Sequence, residues 1–318
     1  MVVDERERFL STITDFGIRH ALLHQVSLEA PVSIAMSARP VFASTSASEE
    51  EIGELLETHR LRALPILDDA GEVVAMRSID EFASRPATPV AVIMAGGRGL
   101  RLRPVTDKTP KPLLRVGSCS IIERIIGGLT DAGVRDVHLA VNYKADIFHE
   151  RLGDGASLGV NLHYLHEKTE LGTAGALSLL PELDGPLLVT NGDIVTTVDF
   201  GRMVDFHRRH GAALTVGGVQ HVSLVPYGIL QTADHHLLAI EEKPERREFC
   251  NAGIYVIEPE ILRFIPPETP LNMPTLIAQV LAEGLSVNVF PIHEKWFDIG
   301  GPAEFERILI QFATGEES

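Results

Sequence analysis

From residue 90 onward, short apolar runs alternate with segments whose apolar residues recur at helical spacing. The apolar runs predict strands over 90–95, 136–141, 160–166, 187–190 and 213–217. The segments at helical spacing predict helices over 121–132, 144–152, 172–180 and 203–210. Strands that alternate with helices favour an α/β fold, in which a Rossmann-like, doubly wound and mostly parallel sheet carries helices on both faces.

The first 86 residues follow a different pattern, in which a strand, an acidic turn, a second strand and a helix occur twice. The predicted strands cover 2–4, 9–14, 40–43, 64–67 and 73–76. The predicted helices cover 15–24 and 46–59, and a third begins at residue 79. Asp15 is the predicted cap of the first helix. This pattern predicts a small α+β domain with a truncated first repeat. The proline-rich segment 84–89 has the composition of a linker, so the predicted domains are 1–86 and 87–318.

The composition excludes several classes of protein. A chain of 318 residues, 45% of them hydrophobic, is long enough for about two domains with buried cores. A net charge of −16 argues against nucleic acids and anionic membranes as partners, because both require a broad positive surface. Two cysteines provide neither a disulfide framework nor a metal-binding spacing. Because the N-terminus is unlike a signal peptide and no apolar run is long enough to span a membrane, we expect a cytoplasmic protein.

One segment, 90–116, reverses the sign of the charge. Its apolar strand ends in a turn with three glycines, and six basic residues fall within eighteen positions there. Glycines let backbone N–H groups approach an anion that basic side chains neutralise, so the segment predicts a polyphosphate site. It matches neither the P-loop nor the complete dinucleotide-binding glycine pattern, which opposes an NAD-binding protein. A buried strand followed by a solvated basic loop is the alternative interpretation.

Six motifs occur in order along the second domain: AGGRGLRLRP at 95–104, PKPLL at 110–114, ELGTAGAL at 170–177, NGD at 191–193, EEKP at 241–244 with NAGIY at 251–255, and WFDIG at 296–300. With these motifs the chain from residue 90 to about 312 resembles the sugar-nucleotide pyrophosphorylases. The stretches VNYKADIF, ELGTAGALSLL and NMPTL are most similar to the guanylyltransferases that activate glucosamine 1-phosphate for legionaminic acid synthesis. The resemblance implies an enzyme of the EC 2.7.7 type that joins an NTP, with GTP favoured, to a hexose or amino-hexose 1-phosphate and releases pyrophosphate.

Such a reaction needs no general base, because the attacking phosphate oxygen is already largely ionised at neutral pH, with a second pKa of about 6. It needs two anions to be aligned and charge to be stabilised during in-line attack on the α-phosphorus, which Mg²⁺ and fixed cations can do. Arg101 and Lys111 are the predicted cations, and two prolines stiffen the backbone of Lys111. Asp193 follows an apolar strand and Asp298 stands in an apolar segment, and the resemblance implies that both bind Mg²⁺.

The resemblance also implies the other site residues. The predicted catalytic residues are Arg101, Lys111, Asp193 and Lys243, and the predicted metal ligands are Asp193 and Asp298. The predicted nucleotide-binding residues are Ala95, Gly96, Gly97, Gly99, Arg101, Gly172 and Thr173, and those for the sugar phosphate are Gly228, Glu242, Lys243 and Asn251. Without the resemblance, NGD is an ordinary turn and EEKP an exposed charged turn. The chain departs from the family at Leu100, where Thr, Ser or Glu is common, so either a hydroxyl on the phosphate side is missing or the backbone amide acts alone.

The first 86 residues resemble a pair of CBS domains. The second copy, 36–82, is nearly complete, and the first keeps only its hairpin and helix. Such pairs often bind adenine nucleotides through a Thr or Ser and an Asp three residues later. Here Gly17 stands three residues after Thr14, where the Asp is expected, and Arg77 stands three residues before Asp80, where the Thr or Ser is expected. Each half-site therefore lacks one partner. We therefore expect a packing or dimerising module without a ligand, and a homo-oligomer assembled through it.

Two alternatives stay open. One is a different nucleotidyl transfer, either from GTP to mannose 1-phosphate or from UTP or dTTP to a sugar 1-phosphate, because motif spacing does not show the contacts to the base. The other is a catalytically weak regulatory subunit. Leu100 and the eroded CBS repeats favour it, and five retained site residues oppose it: Arg101, Lys111, Asp193, Lys243 and Asp298.

Overall fold

The computed structural model describes residues 1–27, 29–59, 61–79 and 89–313. The chain divides into two units, Met1–Thr88 and Pro89–Ser318. The predicted linker, 84–89, lies outside the described residues except for Pro89. The CBS half-site position Asp80 also lies outside the described residues, as does the predicted helix from residue 79 except for its first residue.

The N-terminal unit begins with a hairpin and a helix. Strands β1 (Val2–Val3) and β2 (Phe9–Ser11) pair antiparallel, and helix α1 (Asp15–Leu23) follows. The prediction that Asp15 caps this helix is wrong. Thr14 has an extended backbone and its hydroxyl accepts from the Gly17 N–H at 3.0 Å, so Thr14 is the N-cap and Asp15 lies in the first turn.

The rest of this unit is a strand, a helix and two strands: β3 (Ala43–Ser44), α2 (Glu49–Thr58), β4 (Ala63–Leu67) and β5 (Val73–Ser78). The sheet order is β3–β4–β5, with β3 parallel to β4 and β4 antiparallel to β5. Helix α2 packs on this sheet around a small core formed by Ala43, Ile52, Leu56, Leu64 and Ile66. The acidic turn between β4 and β5 is held by Asp68, whose side chain accepts from two backbone N–H groups.

The second unit is built on a seven-stranded sheet. Its strands are β6 (Val90–Met94), β9 (Asp136–Val141), β10 (Asn161–His166), β11 (Leu187–Asn191), β13 (Leu214–Leu224), β16 (Glu245–Ile257) and β17 (Val287–Ile292). Their order across the sheet is β10–β9–β6–β11–β16–β13–β17. Strand β16 runs antiparallel to both neighbours, and the other pairings are parallel. The prediction of an α/β fold with a mostly parallel sheet is therefore confirmed.

Within residues 89–313, smaller strand pairs and six α-helices accompany the sheet. The pairs join β7 (Arg115–Val116) to β8 (Cys119–Ser120), β12 (Ile194–Thr196) to β18 (Trp296–Asp298), and β14 (Ile229–Ala233) to β15 (His236–Glu241). The helices are α3 (Ile121–Asp131), α4 (Ala145–Leu152), α5 (Gly172–Gly175), α6 (Phe200–His210), α7 (Met273–Ala282) and α8 (Pro302–Ala313). Within the described ranges, none of the chain's helices combines the length and the apolar character that crossing a bilayer requires.

The sheet is buried on both faces. In β6, Ala91 and Ile93 belong to one hydrophobic cluster and Val92 to another, as the alternation of side chains along a strand requires. The first cluster includes residues of α3, α4, α6 and α8, and the second includes residues of α5 and α7. This three-layer arrangement leaves the loops at the carboxyl ends of the parallel strands as the place for a site.

One buried histidine connects α6 to the sheet. The His207 side chain is fully buried, its Nδ1 lies 2.8 Å from Thr215 Oγ1, and its Nε2 lies 3.0 Å from Glu258 Oε1. Burial lowers the pKa of His207 below its ordinary value; Glu258 opposes this shift, and the positive charge of Arg208 adds to it. The folded protein therefore favours the neutral imidazole, whereas the unfolded chain gains a proton near pH 6.5.

We accordingly expect the free energy of unfolding to decrease as pH falls from 7.5 to 5.5, because the unfolded state then binds more protons at His207 than the folded state does. Urea titrations of wild type and His207→Gln at several pH values would measure this. The variant should be less stable at pH 7.5 by about 1–3 kcal/mol, through imperfectly paired partners, but should have a shallower pH dependence. His235→Gln, in an exposed turn, is the matched control; equal slopes for wild type and His207→Gln would contradict the assignment.

Candidate active site

The glycine-rich loop leaves the sheet at the carboxyl end of β6. Gly99 has a φ of +60°, a left-handed conformation that favours glycine. A Cβ there would lie 3.0 Å from Thr106 Cγ2 and 3.4 Å from Lys111 Cβ. The Thr106 hydroxyl donates to the Gly99 carbonyl at 2.8 Å. The loop is thus held against the segment that carries Lys111, and this close approach requires glycine.

A second close approach joins Gly96 to Glu167, the residue after β10. A Cβ on Gly96 would lie 2.5 Å from Glu167 Oε1. The other carboxylate oxygen, Oε2, accepts from the Leu171 N–H at 2.8 Å. Partial burial raises the pKa of Glu167, the hydrogen bond from Leu171 lowers it, and the charge of Glu170 raises it further. Glu167 is therefore a carboxylate in a fixed position beside the glycine-rich loop.

These residues line a cavity of about 660 Å³, a volume ordinary for a small-molecule site. Most of the predicted nucleotide-binding and catalytic residues lie on its wall, from three separate parts of the sequence. They are Ala95, Gly96, Gly97, Gly99, Arg101, Lys111, Gly172, Thr173 and Asp193. The structure therefore brings together in space what the motif spacing only associates.

An ion pair forms part of the wall of this cavity. The Lys111 ammonium donates to Asp193 Oδ2 at 2.6 Å, and the Lys111 side chain is only 9% exposed. Lys111 begins a 3-10 turn capped by Pro110. Asp193 stands between β11 and β12, and the preceding Gly192 N–H donates to the Met94 carbonyl at 2.8 Å. The carboxyl ends of β6 and β11 thus hold the glycine-rich loop and Asp193 side by side.

Asp298 reaches the same place from far along the chain. Strand β18 pairs with β12 so that Asp298 lies opposite Ile194, and the Ile299 N–H donates to the Asp193 carbonyl at 3.2 Å. Partial burial raises the pKa of the Asp298 carboxyl, the charges of Asp193 and Glu304 raise it further, and Lys111 and Arg101 lower it. The carboxylate remains accessible to solvent.

Arg101 connects the two acidic residues to the glycine-rich loop. It lines the main cavity and also a neighbouring cavity of about 540 Å³, whose wall includes Asp298 and Gly300. Asp193 lies close enough to Asp298 to disfavour the ionisation of Asp298, and two neighbouring carboxylates on an open groove match the oxygen ligands that Mg²⁺ prefers. The residues present therefore fit a divalent cation.

The four residues predicted for the sugar phosphate are not among the described residues that line these two cavities. Gly228 and Glu242 are neighbours, since a Cβ on Gly228 would lie 2.9 Å from Glu242 Oε2. Lys243 follows with a left-handed backbone, at a φ of +45°. Asn251 lies in β16, and its Oδ1 accepts from the Gly253 N–H at 2.9 Å. The structure brings Gly228 and Glu242 together and leaves the link to the nucleotide cavity as a prediction.

Sequence reasoning missed Glu167 and Glu170, which also line the cavity. The Arg98 Nε donates to Glu170 Oε1 at 2.7 Å, so this exposed ion pair joins the glycine-rich loop to the segment before α5. A usable signal was present for Glu167, because an acidic residue directly after a predicted strand occupies the same kind of position as Asp193. Leu100, the departure from the family, is 56% exposed on the cavity wall.

Comparisons with known proteins agree with this architecture. The sequence profile described as "Nucleotidyl transferase" matches residues 90–313. A mannose-1-phosphate guanylyltransferase catalytic subunit beta from Drosophila pseudoobscura pseudoobscura is 36% identical over 225 residues, which are 68% of this chain and 60% of that protein. The mannose-1-phosphate guanyltransferase of Saccharomyces cerevisiae is 33% identical over 226 residues, 67% of this chain and 62% of that protein. This chain thus spans about 60% of the length of these curated relatives.

A solved structure shares the fold. The crystal structure of HddC from Yersinia pseudotuberculosis matches with a TM-score of 0.56 and 25% identity, over 70% of this chain and 99% of that one. The resemblance inferred from the six motifs is confirmed at the level of the family. With a profile match over 90–313 and relatives 33–36% identical across about two thirds of its length, the chain belongs to the nucleotidyl transferase family, that of the sugar-nucleotide pyrophosphorylases.

Proposed function

We propose that the protein transfers a nucleotidyl group from an NTP to a sugar 1-phosphate and releases pyrophosphate. The observation that carries the proposal is the cavity in which a glycine-rich loop, the Lys111–Asp193 ion pair and Arg101 share one wall. Backbone N–H groups and two cations on such a wall suit a triphosphate. Nothing else in the cavity is needed as a base, because the attacking group is a phosphate oxygen that is already ionised.

Lys111 and Arg101 would stabilise the charge that develops around the α-phosphorus, and the buried stem of Lys111 keeps its ammonium beside the cavity. Asp193 and Asp298 would hold Mg²⁺, which supplies charge neutralisation at the phosphates when bound. Lys243 and Glu242, with Gly228 and Asn251, would bind the sugar phosphate beside the hairpin of β14 and β15. In this proposal the nucleotide occupies the cavity lined by the glycine-rich loop, and the sugar phosphate binds at the second group of residues.

GTP is the preferred nucleotide in this proposal. Guanine presents two adjacent N–H donors on one edge, and a carboxylate can accept both. Uracil and thymine present one N–H between two carbonyl oxygens, and a carboxylate would repel these oxygens. Glu167 beside Gly96 is a carboxylate of this kind on the cavity wall, and the names of the Drosophila and Saccharomyces relatives, both guanylyl or guanyl transferases, point the same way.

Two sugars remain in the proposal. An amino- or acetamido-hexose 1-phosphate follows from the similarity to the legionaminic acid guanylyltransferases. Mannose 1-phosphate is the second candidate, and the names of the two relatives favour it. For the N-terminal unit, the order strand, helix, strand, strand in β3, α2, β4 and β5 supports the CBS-like interpretation. We propose that this unit assembles a homo-oligomer without binding a ligand, in a cytoplasmic enzyme.

The direct test measures pyrophosphate release by the full chain with each of four NTPs against a panel of sugar 1-phosphates. We expect turnover with GTP and one of the two sugar classes, and its loss when EDTA replaces Mg²⁺. Absence of turnover across the whole panel would instead favour the catalytically weak regulatory subunit.

Asp193→Asn should reduce turnover by about 100-fold or more, because the change removes a negative charge from the proposed metal site and the partner of Lys111. Steady-state pyrophosphate release gives the activity, and circular dichroism verifies the fold. Asp199→Asn is the matched control. Asp199 caps α6 by accepting from the Arg202 N–H, and Asn is an equally good cap, so this variant should keep its activity. Normal turnover by Asp193→Asn would remove Asp193 from the proposed metal site.

Glu167→Gln should lower the preference for GTP over UTP by about 10- to 100-fold, since a neutral amide accepts less strongly from guanine and can donate to a uracil carbonyl. The ratio of kcat/KM for the two nucleotides measures the effect. Glu170→Gln is the control, because it alters the neighbouring carboxylate, which is paired with Arg98. A ratio that stays constant in Glu167→Gln would show that other groups select the base.

A further inference from the structure

The Asp193 carboxylate already has a cationic partner within the protein. The Lys111 ammonium lies 2.6 Å from Asp193 Oδ2, with 9% of the Lys111 side chain and 32% of the Asp193 side chain exposed. A carboxylate oxygen that accepts so short a charge-assisted hydrogen bond is engaged on that side. A cation that binds Asp193 through the same oxygen therefore meets the positive charge of the ammonium at short range and competes with it.

The surroundings of Lys111 restrict where its ammonium can lie. Its backbone is part of a 3-10 turn with Pro110 at the cap and Pro112 within it, and the Leu114 N–H donates to its carbonyl. Gly99 lies against its Cβ. Only the outer part of the side chain is therefore able to move, and the cavity lined by the glycine-rich loop is the space it borders.

Two basic groups already offset the negative charge at this site. Lys111 donates to Asp193, and the positive charges of Lys111 and Arg101 act on Asp298, against the negative charges of Asp193 and Glu304. A divalent cation added to this set would face both basic groups at short range. A triphosphate in the adjoining cavity changes this balance, because its oxygens offer Lys111 a stronger acceptor than one carboxylate.

We propose that Lys111 and the divalent cation compete for Asp193, and that the bound triphosphate relieves this competition by drawing the Lys111 ammonium into the glycine-rich cavity. The inference rests on the proposed nucleotide site and on Asp193 as a metal ligand. Its consequence is that the protein binds the cation weakly by itself and tightly with the nucleotide. By linkage, the cation must raise the affinity for the nucleotide by the same factor.

The chain contains its own reporter for this equilibrium. Trp296 is its single tryptophan, lies two positions before Asp298 in β18, and donates from Nε1 to the Ala252 carbonyl at 3.0 Å. Trp296 is half-buried, and binding of a cation at Asp193 and Asp298 changes the charge near the β12–β18 pair. The fluorescence of Trp296 should therefore respond to that binding. Calorimetric titration with MgCl₂ gives the same affinity without relying on fluorescence.

The experiment titrates MgCl₂ into the full chain without nucleotide, for wild type, Lys111→Met and Arg101→Met. Competition predicts that Lys111→Met binds Mg²⁺ about tenfold more tightly than wild type, because Asp193 has lost its internal partner. Arg101→Met removes an equal charge from the same site but leaves the Asp193 ion pair intact, so its effect should be clearly smaller. Thermal unfolding verifies that both variants are folded.

A double-mutant cycle separates competition from general electrostatics. In an Asp193→Asn background, Lys111→Met should no longer raise the affinity for Mg²⁺, since the contested carboxylate is gone. Equal gains in both backgrounds, or an unchanged or weaker affinity in Lys111→Met alone, would overturn the proposal.

The same titrations distinguish this failure from that of the proposed function. If Asp193→Asn and Asp298→Asn bind Mg²⁺ as wild type does, the metal ligands themselves are wrongly assigned. If both bind Mg²⁺ measurably more weakly than wild type while Lys111→Met is unchanged, the ligands stand and only the competition is refuted.

Discussion

The parallel pairing of β6 with β11 is the constraint on which the site depends. In this register Met94 lies opposite Asn191, so both strands end at the same level of the sheet. The glycine-rich loop begins where β6 ends, and Gly192 and Asp193 come directly after β11. Because the two strands are hydrogen-bonded neighbours, the glycine-rich loop and the Asp193 carboxylate lie side by side. Backbone pairing, rather than side-chain contacts alone, brings these two segments together.

The second carboxylate depends on a different device. The short antiparallel pair of β12 and β18 carries Asp298 to Asp193 over a long stretch of sequence, and the Ile299 N–H donates to the Asp193 carbonyl. Buried neighbours secure this short pair, since Ile194 and Ile299 both belong to the core beneath the sheet. Apolar packing of Ile194 and Ile299 thus holds the backbone beside the two carboxylates, while Asp298 is exposed to solvent.

Much of the second unit could be predicted from the sequence because its strands are continuous apolar runs. Strand β9 has the predicted bounds, and helix α4 differs from its prediction by one residue. Strand β16 was missed because its first half, beginning at Glu245, is exposed and charged and has no apolar run. Its antiparallel direction was equally inaccessible, because the β14–β15 hairpin separates it from β13, and a 3-10 turn over Pro259–Phe264 and helix α7 follow it before β17. The site shows the same division: the glycines and Asp193 follow predicted strands, whereas the Lys111–Asp193 contact comes from packing between segments far apart in sequence.

The contact between Gly96 and Glu167, which becomes visible only in the folded chain, has an evolutionary consequence. Because the space where a Gly96 side chain would stand is filled by the carboxylate of Glu167, the two positions are mutually constrained although they belong to different segments. A larger residue at position 96 requires a side chain at position 167 that is shorter or points elsewhere. The present conformation of Glu167 is compatible only with glycine at position 96. The side chains at positions 96 and 167 thus share one volume, and the size of either determines the room available to the other.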